Sequence, residues 1–166
     1  MHDMLVRSLA LRLLPSVALM ILGALLMLTR VFGGVFSSAR PENLGLHDGK
    51  LAPCPNKPNC VHSVETDPRH TIAPLAFTGN PDGAMQTLYT IISRMERTQV
   101  ITWEVGYLYV EVTSKLLGFI DDVEFVLDRQ AQRIQVRAAA RLGYSDFGVN
   151  RKRIETIRAL FNTYKP

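Results

Sequence analysis

The sequence predicts an α+β fold, an antiparallel β-meander with two packed helices, preceded by one N-terminal transmembrane helix. Three observations lead there. A long apolar run lies near the N-terminus, two stretches carry apolar residues at helical spacing, and a block of alternating apolar and polar residues lies between them.

From Leu13 to Leu28 only Pro15 and Ser16 interrupt the apolar run, no charge occurs in it, and Val31 to Phe36 extend it beyond Thr29 and Arg30. A membrane span needs about 20 apolar residues, so the run is just long enough. A cleaved signal peptide is the competing reading, with Arg7 and Arg12 as its basic flank and Ser37-Ser38-Ala39 as its cut. Its apolar region is ordinarily about 7–15 residues, shorter than this run, and Arg30 intervenes before the cut. Residues 1–36 therefore read as an uncleaved membrane anchor. Residues 37–53, with Ser, Gly and Pro and little periodicity, read as a linker. Residues 54–166 read as a single extracytoplasmic α+β domain, large enough for one core.

Flanking charge is nearly balanced, with Arg7 and Arg12 facing Arg30 and Arg40, so the positive-inside rule leaves orientation open. The cysteines decide it. Cys54 and Cys60 are the only two, in "APCPNKPNCVHS", six apart in a loop stiffened by Pro53, Pro55 and Pro58. That arrangement suits a small disulfide ring and an oxidising compartment. The expected location is the inner membrane, single-pass, with the soluble domain on the periplasmic side. Free thiols, or a metal site formed with His62 and His70, remain as alternatives, though paired C-x-x-C spacing is absent.

After the ring, "HTIAPLAFTGN" is a short extended piece broken at Pro74. Asn80-Pro81 supplies an N-cap and a first-turn proline, and Met85, Leu88, Ile91 or Ile92, and Met95 continue a helix to about Arg97. That stripe reads as core. Val100–Val105, Tyr107–Thr113, Asp121–Asp128 and Arg133–Arg141 alternate as half-buried strands. A final helix is capped by Asn150 and carries Ile154, Ile157, Leu160, Phe161 and Tyr164 on one face.

"GFIDDVEFVLD" puts four carboxylates, Asp121, Asp122, Glu124 and Asp128, into a strand, where Asp is disfavoured and like charges repel. A two-residue turn at Gln130-Ala131 sets Glu124 opposite Arg137, Val126 opposite Gln135 and Asp122 opposite Ala139, with Arg141 diagonal to Asp122. Val123, Phe125, Leu127, Ile134, Val136, Ala138, Ala140, Leu108, Val110 and Val112 then share the core face. Tyr107, Tyr109, Glu111 and Thr113 join the acids on the other face. That face is either solvated, its ion pairs worth little, or the floor of a cleft covered by the loop after Arg141.

From Arg129 to Lys165 there are nine Lys or Arg against two acids, Asp146 and Glu155. Arg151, Lys152 and Arg153 lie in the first turn of the last helix, where cations oppose the helix dipole. Either the upstream carboxylates and Asp146 compensate, or an external anion does. Nucleic acid is not expected, since no stacking platform exists beyond scattered Tyr. No metal is expected at Asp121, Asp122 and Glu124, because no loop of spaced oxygen ligands is present, and no cofactor motif occurs. Ser145 in "GYSDFG" lacks the G-x-S-x-G frame, and no His lies downstream of His70.

"CPNKPNCVHS", "GFIDDVEF" and "RLGYSDFGVNRKRIETIR", in this order, resemble the bacterial and plastid family catalogued as domain of unknown function 1499. The resemblance runs from about Cys54 to Phe161. Its motifs fall on Cys54, Pro55, Pro58, Asn59, Cys60, Asp121, Asp122, Glu124, Phe125, Arg137, Arg141, Gly143, Asp146, Gly148, Asn150, Arg151 and Arg153. It implies an envelope or lumenal setting and no established chemistry. The family's Arg-Ser-Ala-Ser-Arg is here Arg137-Ala138-Ala139-Ala140-Arg141, and His62 replaces a usual Ser. Those departures weigh against a serine mechanism.

The expected binding site is a charge network of Asp121, Asp122, Glu124, Arg137, Arg141, Asp146, Asn150, Arg151 and Arg153. The leading function is a non-catalytic envelope binding or scaffolding module. The membrane, an anionic lipid or an envelope protein is the expected partner. The alternative is a hydrolase-like enzyme using the Asp/Glu/Arg cluster with Tyr144 or Ser145.

Overall fold

The computed structural model describes residues 38–164, with the isolated helical positions Met20 and Gly23. The chain divides after Ser37 into two units, and the described fold belongs to the second. Its elements run β1 (Cys60–His62), β2 (Leu75–Ala76), α1 (Pro81–Ser93), β3 (Thr98–Glu104), β4 (Tyr107–Thr113), β5 (Ile120–Asp128), β6 (Arg133–Ala140) and α2 (Val149–Thr163). All strands join one antiparallel sheet in the order β1-β6-β5-β4-β3, with β2 also paired to β6.

This is the predicted α+β meander with two helices, but the predicted transmembrane helix is corrected. Among the described residues no helix is long and apolar enough to cross a membrane. The described helices have 13 and 15 residues, which at 1.5 Å per residue reach roughly 20 Å against a hydrocarbon core of about 30 Å. The apolar run itself, within 1–36, lies outside the described residues apart from Met20 and Gly23.

Helix α1 starts as its sequence dictates: the Asn80 side chain accepts the amides of Asp82 and Gly83. It stops at Ser93, short of Arg97, where the Arg94 amide turns back to the Ile91 carbonyl and Arg97 adopts a positive φ that launches β3. Helix α2 begins one residue before the predicted cap. Gly148 precedes it in a left-handed conformation without a side-chain bond, and Asn150 is buried inside the first turn. The capping oxygens come from Asp146, whose carboxylate accepts the Gly148 amide at 3.0 Å and the Asn150 amide at 2.9 Å.

Leu108, Val110, Val123, Phe125, Ile134 and Val136 of the sheet pack against Leu88 and Ile92 of α1 and Ile154, Ile157 and Phe161 of α2. Each such side chain contributes roughly 1.5–3 kcal/mol by burial, so this layer holds the fold. The opposite sheet face is not the solvated surface that alternation allows: Tyr107, Tyr109, Asp122, Glu124 and Arg137 on it are all buried. Residues 38–53, part of the predicted linker 37–53, run across it: Leu51 is buried with Tyr107 and Tyr109, flanked by Leu44, Ile101 and Val126. The charged face is therefore enclosed between sheet and strap.

Candidate functional site

The β5–β6 ladder sets Glu124 opposite Arg137, Asp122 opposite Ala139 and Val126 opposite Gln135, in the predicted register. The turn between them is longer than predicted, because the ladder ends at Asp128 and Arg133 and the Asp128 carboxylate accepts the Ala131 amide. Glu124 is 0% exposed. Its Oε2 accepts from Arg137 Nη1 at 3.0 Å, and its Oε1 accepts from the Tyr107 hydroxyl at 2.9 Å and the Gly45 amide at 2.7 Å. Gly45 has φ +91°, a conformation that glycine alone adopts freely. That turn lets a strap amide approach a carboxylate from a sequence distance of 79 residues.

Asp122 is gripped side-on by Arg141, Nε to Oδ2 at 2.9 Å and Nη2 to Oδ1 at 2.6 Å, the fork geometry of a strong charge-assisted pair. Tyr109 donates its hydroxyl to Asp122 Oδ1 at 2.7 Å and accepts from Arg141 Nη2. Arg141 also donates to Glu111 and to the Ser38 carbonyl, and Arg40 of the strap closes on Glu111 at 2.7 Å. Burial, with the neighbouring Glu124 and Asp122 carboxylates, drives the Tyr107 and Tyr109 hydroxyls to higher pKa, so both stay protonated donors. Burial works to raise Glu111 as well, but hydrogen bonds from Arg141 and Arg40 outweigh it and hold the carboxyl low.

Asp121 points to the other face. Its Oδ2 accepts from Arg153 Nη2 at 2.6 Å, and Arg153 Nη1 donates to Asn150 Oδ1. Burial raises the Asp121 carboxyl, and Arg153 opposes that rise. The predicted single network is thus two groups. Asp122 and Glu124 pair with Arg141 and Arg137 beneath the strap, while Asp121, Arg153 and Asn150 tie the sheet to α2. Asp146 caps α2, and Arg151 joins neither group. Its guanidinium donates to the Thr71 and Arg69 carbonyls.

One cation of the strap side is not used up. Arg137 is 4% exposed, its Nη1 binds Glu124, and its Nε is buried with no acceptor among the described residues. Arg137, Asp122 and Arg141 line a recess of about 390 Å³ whose walls include Pro41 and Asn43 of the strap and Cys54 of the ring. A second recess, of about 580 Å³, is lined by His62, Leu51, Asp128 and Gln135. His62 is buried beside Arg137 with its Nδ1 unpartnered among the described residues, and burial, then the Arg137 charge, lowers its pKa against a smaller opposing effect of Glu65.

Cys54 and Cys60 form a disulfide with Cα atoms 5.7 Å apart. The sulfurs are therefore bonded to each other, which removes the metal alternative drawn with His62 and His70. His70 is buried and bonded through Nδ1 to the Cys60 carbonyl at 2.9 Å. No group of three or more His, Cys, Asp or Glu able to hold a metal occurs among the described residues. The side chains named for a hydrolase lie elsewhere. Tyr144 is exposed, and the Ser145 hydroxyl accepts the Phe147 amide in its own turn.

Sequence reasoning missed Arg40 and Gly45, which sit in an aperiodic segment, and gave Tyr107 and Tyr109 a face but no partners. Asn59 was also without an assigned contact; it donates to the Ala140 and Gly143 carbonyls and fastens the ring to the end of β6.

The chain belongs to the family described as "Protein of unknown function (DUF1499)", whose model matches residues 50–161. No curated protein matches the chain.

Proposed function

We propose that this member of the family is a non-catalytic module of the cell envelope, set on the periplasmic side, that binds an oxyanion, a carboxylate or phosphate group, at Arg137. The observation that carries the reading is the buried Arg137 guanidinium whose Nε meets no acceptor among the described residues, at a recess of about 390 Å³. Buried polar groups are nearly always satisfied, and leaving one unmade costs about 1–3 kcal/mol. An oxyanion supplies two acceptor oxygens matching a guanidinium edge. Arg141, by contrast, has a partner at each of its three nitrogens, among Asp122, Glu111, Tyr109 and Ser38, and has an organising role. The Cys54–Cys60 disulfide supports an oxidising compartment.

A free small acid and a lipid headgroup carry the same chemistry, so calorimetric titration of the full-length protein with acetate, inorganic phosphate and a short-chain soluble phosphatidic acid separates the sources. One probe is expected to saturate at one site per chain. Arg137→Lys keeps the charge but removes the fork, and is expected to weaken that probe by about tenfold. Asn43→Trp, on the exposed rim, is expected to block the recess without touching any ion pair. Absence of saturation by all three probes, or undiminished binding to Asn43→Trp, overturns the proposal.

A further inference from the structure

The β4–β5 turn, residues 114–119, and the loop 141–148 stand at the same end of the sheet, since Thr113 pairs with Ile120 and the Arg141 amide donates to the Ile120 carbonyl at 3.1 Å. This end carries Leu116, Leu117, Tyr144 and Phe147, all exposed, with Leu116 at 91% and Phe147 at 95%. Exposed large apolar side chains gathered in one place mark an interaction surface. Phe147 is held outward by its own turn. Its φ is +53°, the Ser145 hydroxyl accepts its amide, and Asp146 accepts the next one. Lys115 and Lys152, both exposed, flank the apolar tips. The sequence 114–119 contains no acid, and Asp146 is turned inward onto the α2 amides.

We infer that this end of the sheet docks on an anionic lipid bilayer, with Leu116, Leu117, Tyr144 and Phe147 entering the interfacial layer and Lys115 and Lys152 at the headgroups. Apolar tips on two separate turns, with a lysine beside each, suit a soft, negatively charged plane, where lysine stems lie along apolar surface and their ammonium groups meet phosphates. The inference concerns a surface separate from the recess and does not rest on the oxyanion reading.

The test uses the full-length chain and vesicles with brominated acyl chains, which quench only tryptophans that reach them. The single native tryptophan, Trp103, lies near the opposite end of the sheet, beside the β3–β4 turn. A Phe147→Trp substitution in a Trp103→Phe chain is expected to lose fluorescence with brominated phosphatidylglycerol and to keep it with brominated phosphatidylcholine. Native Trp103 is expected to keep its fluorescence with both. Lys115→Glu with Lys152→Glu is expected to abolish the loss. No quenching after Phe147→Trp, equal quenching at positions 103 and 147, or quenching indifferent to lipid charge or to the lysine reversals overturns the inference. A protein partner at this surface would give the first of these outcomes.

Discussion

Asp121 and Arg153 meet at 2.6 Å with side-chain exposures of 8% and 11%, and this pair joins the start of β5 to the N-terminal part of α2 across 32 residues of sequence. Removing one partner from a buried pair leaves the other charged and unsolvated. Arg153→Ala is therefore expected to cost about 3–5 kcal/mol, read as a lower urea midpoint at unchanged slope. The double variant Asp121→Asn/Arg153→Met is expected to lose much less than the sum of its single changes. Additive losses would show that the two groups act independently.

His62 sets a pH dependence whose sign follows from its burial. Burial and the Arg137 charge hold its folded pKa below the ordinary 6.5, so between those two values the unfolded chain binds more protons than the native one. Stability then rises with pH through that window, levels off above 6.5, and falls on acidification, by at most about 1.4 kcal/mol per pH unit for one proton. Urea denaturation at about pH 5 and about pH 7.5 is expected to show a flatter profile for His62→Gln than for the unaltered chain. Asp121, whose folded carboxyl is raised, works in the opposite sense in its own window, so the comparison with His62→Gln isolates the imidazole. Parallel profiles for the two chains would remove His62 from the account.

The disulfide closes a short ring, and its loss through Cys54→Ala with Cys60→Ala is expected to cost about 2 kcal/mol. The sheet is expected to survive, because β1 remains laddered to β6 from Cys60 to His62 and Asn59 still reaches the Ala140 and Gly143 carbonyls. Guanidinium denaturation with circular dichroism checks both points. Loss of cooperative unfolding would instead make the ring a folding requirement.

Where two strands alternate cleanly, the sequence could be read to the level of single pairs. The Glu124–Arg137 register follows from matching apolar faces. A turn longer than predicted does not disturb it, since unpairing Arg129 from Gln132 leaves every pair beyond them in place. Helical cations were harder to place. Arg151 and Arg153 share one turn, and spacing alone does not say which of them faces Asp121. The α2 cap was misassigned because Asn150 is a good capping residue by type, while the amides are taken by Asp146 from outside the helix. The strap left no periodic signal, for its key contacts are one glycine amide and one isolated arginine. Strand β1, three residues long, is too short for alternation to speak.

The recess draws its floor and its rim from different stretches of chain. Arg137, Asp122 and Arg141 lie within the family match, which begins at residue 50, whereas Pro41 and Asn43 come before it. On the oxyanion reading proposed above, grip and selectivity are divided: the floor would fix the charge that is held, and the rim the size of what passes. Exchanging Pro41 or Asn43 is then expected to retune the second while every ion pair beneath stays as it is.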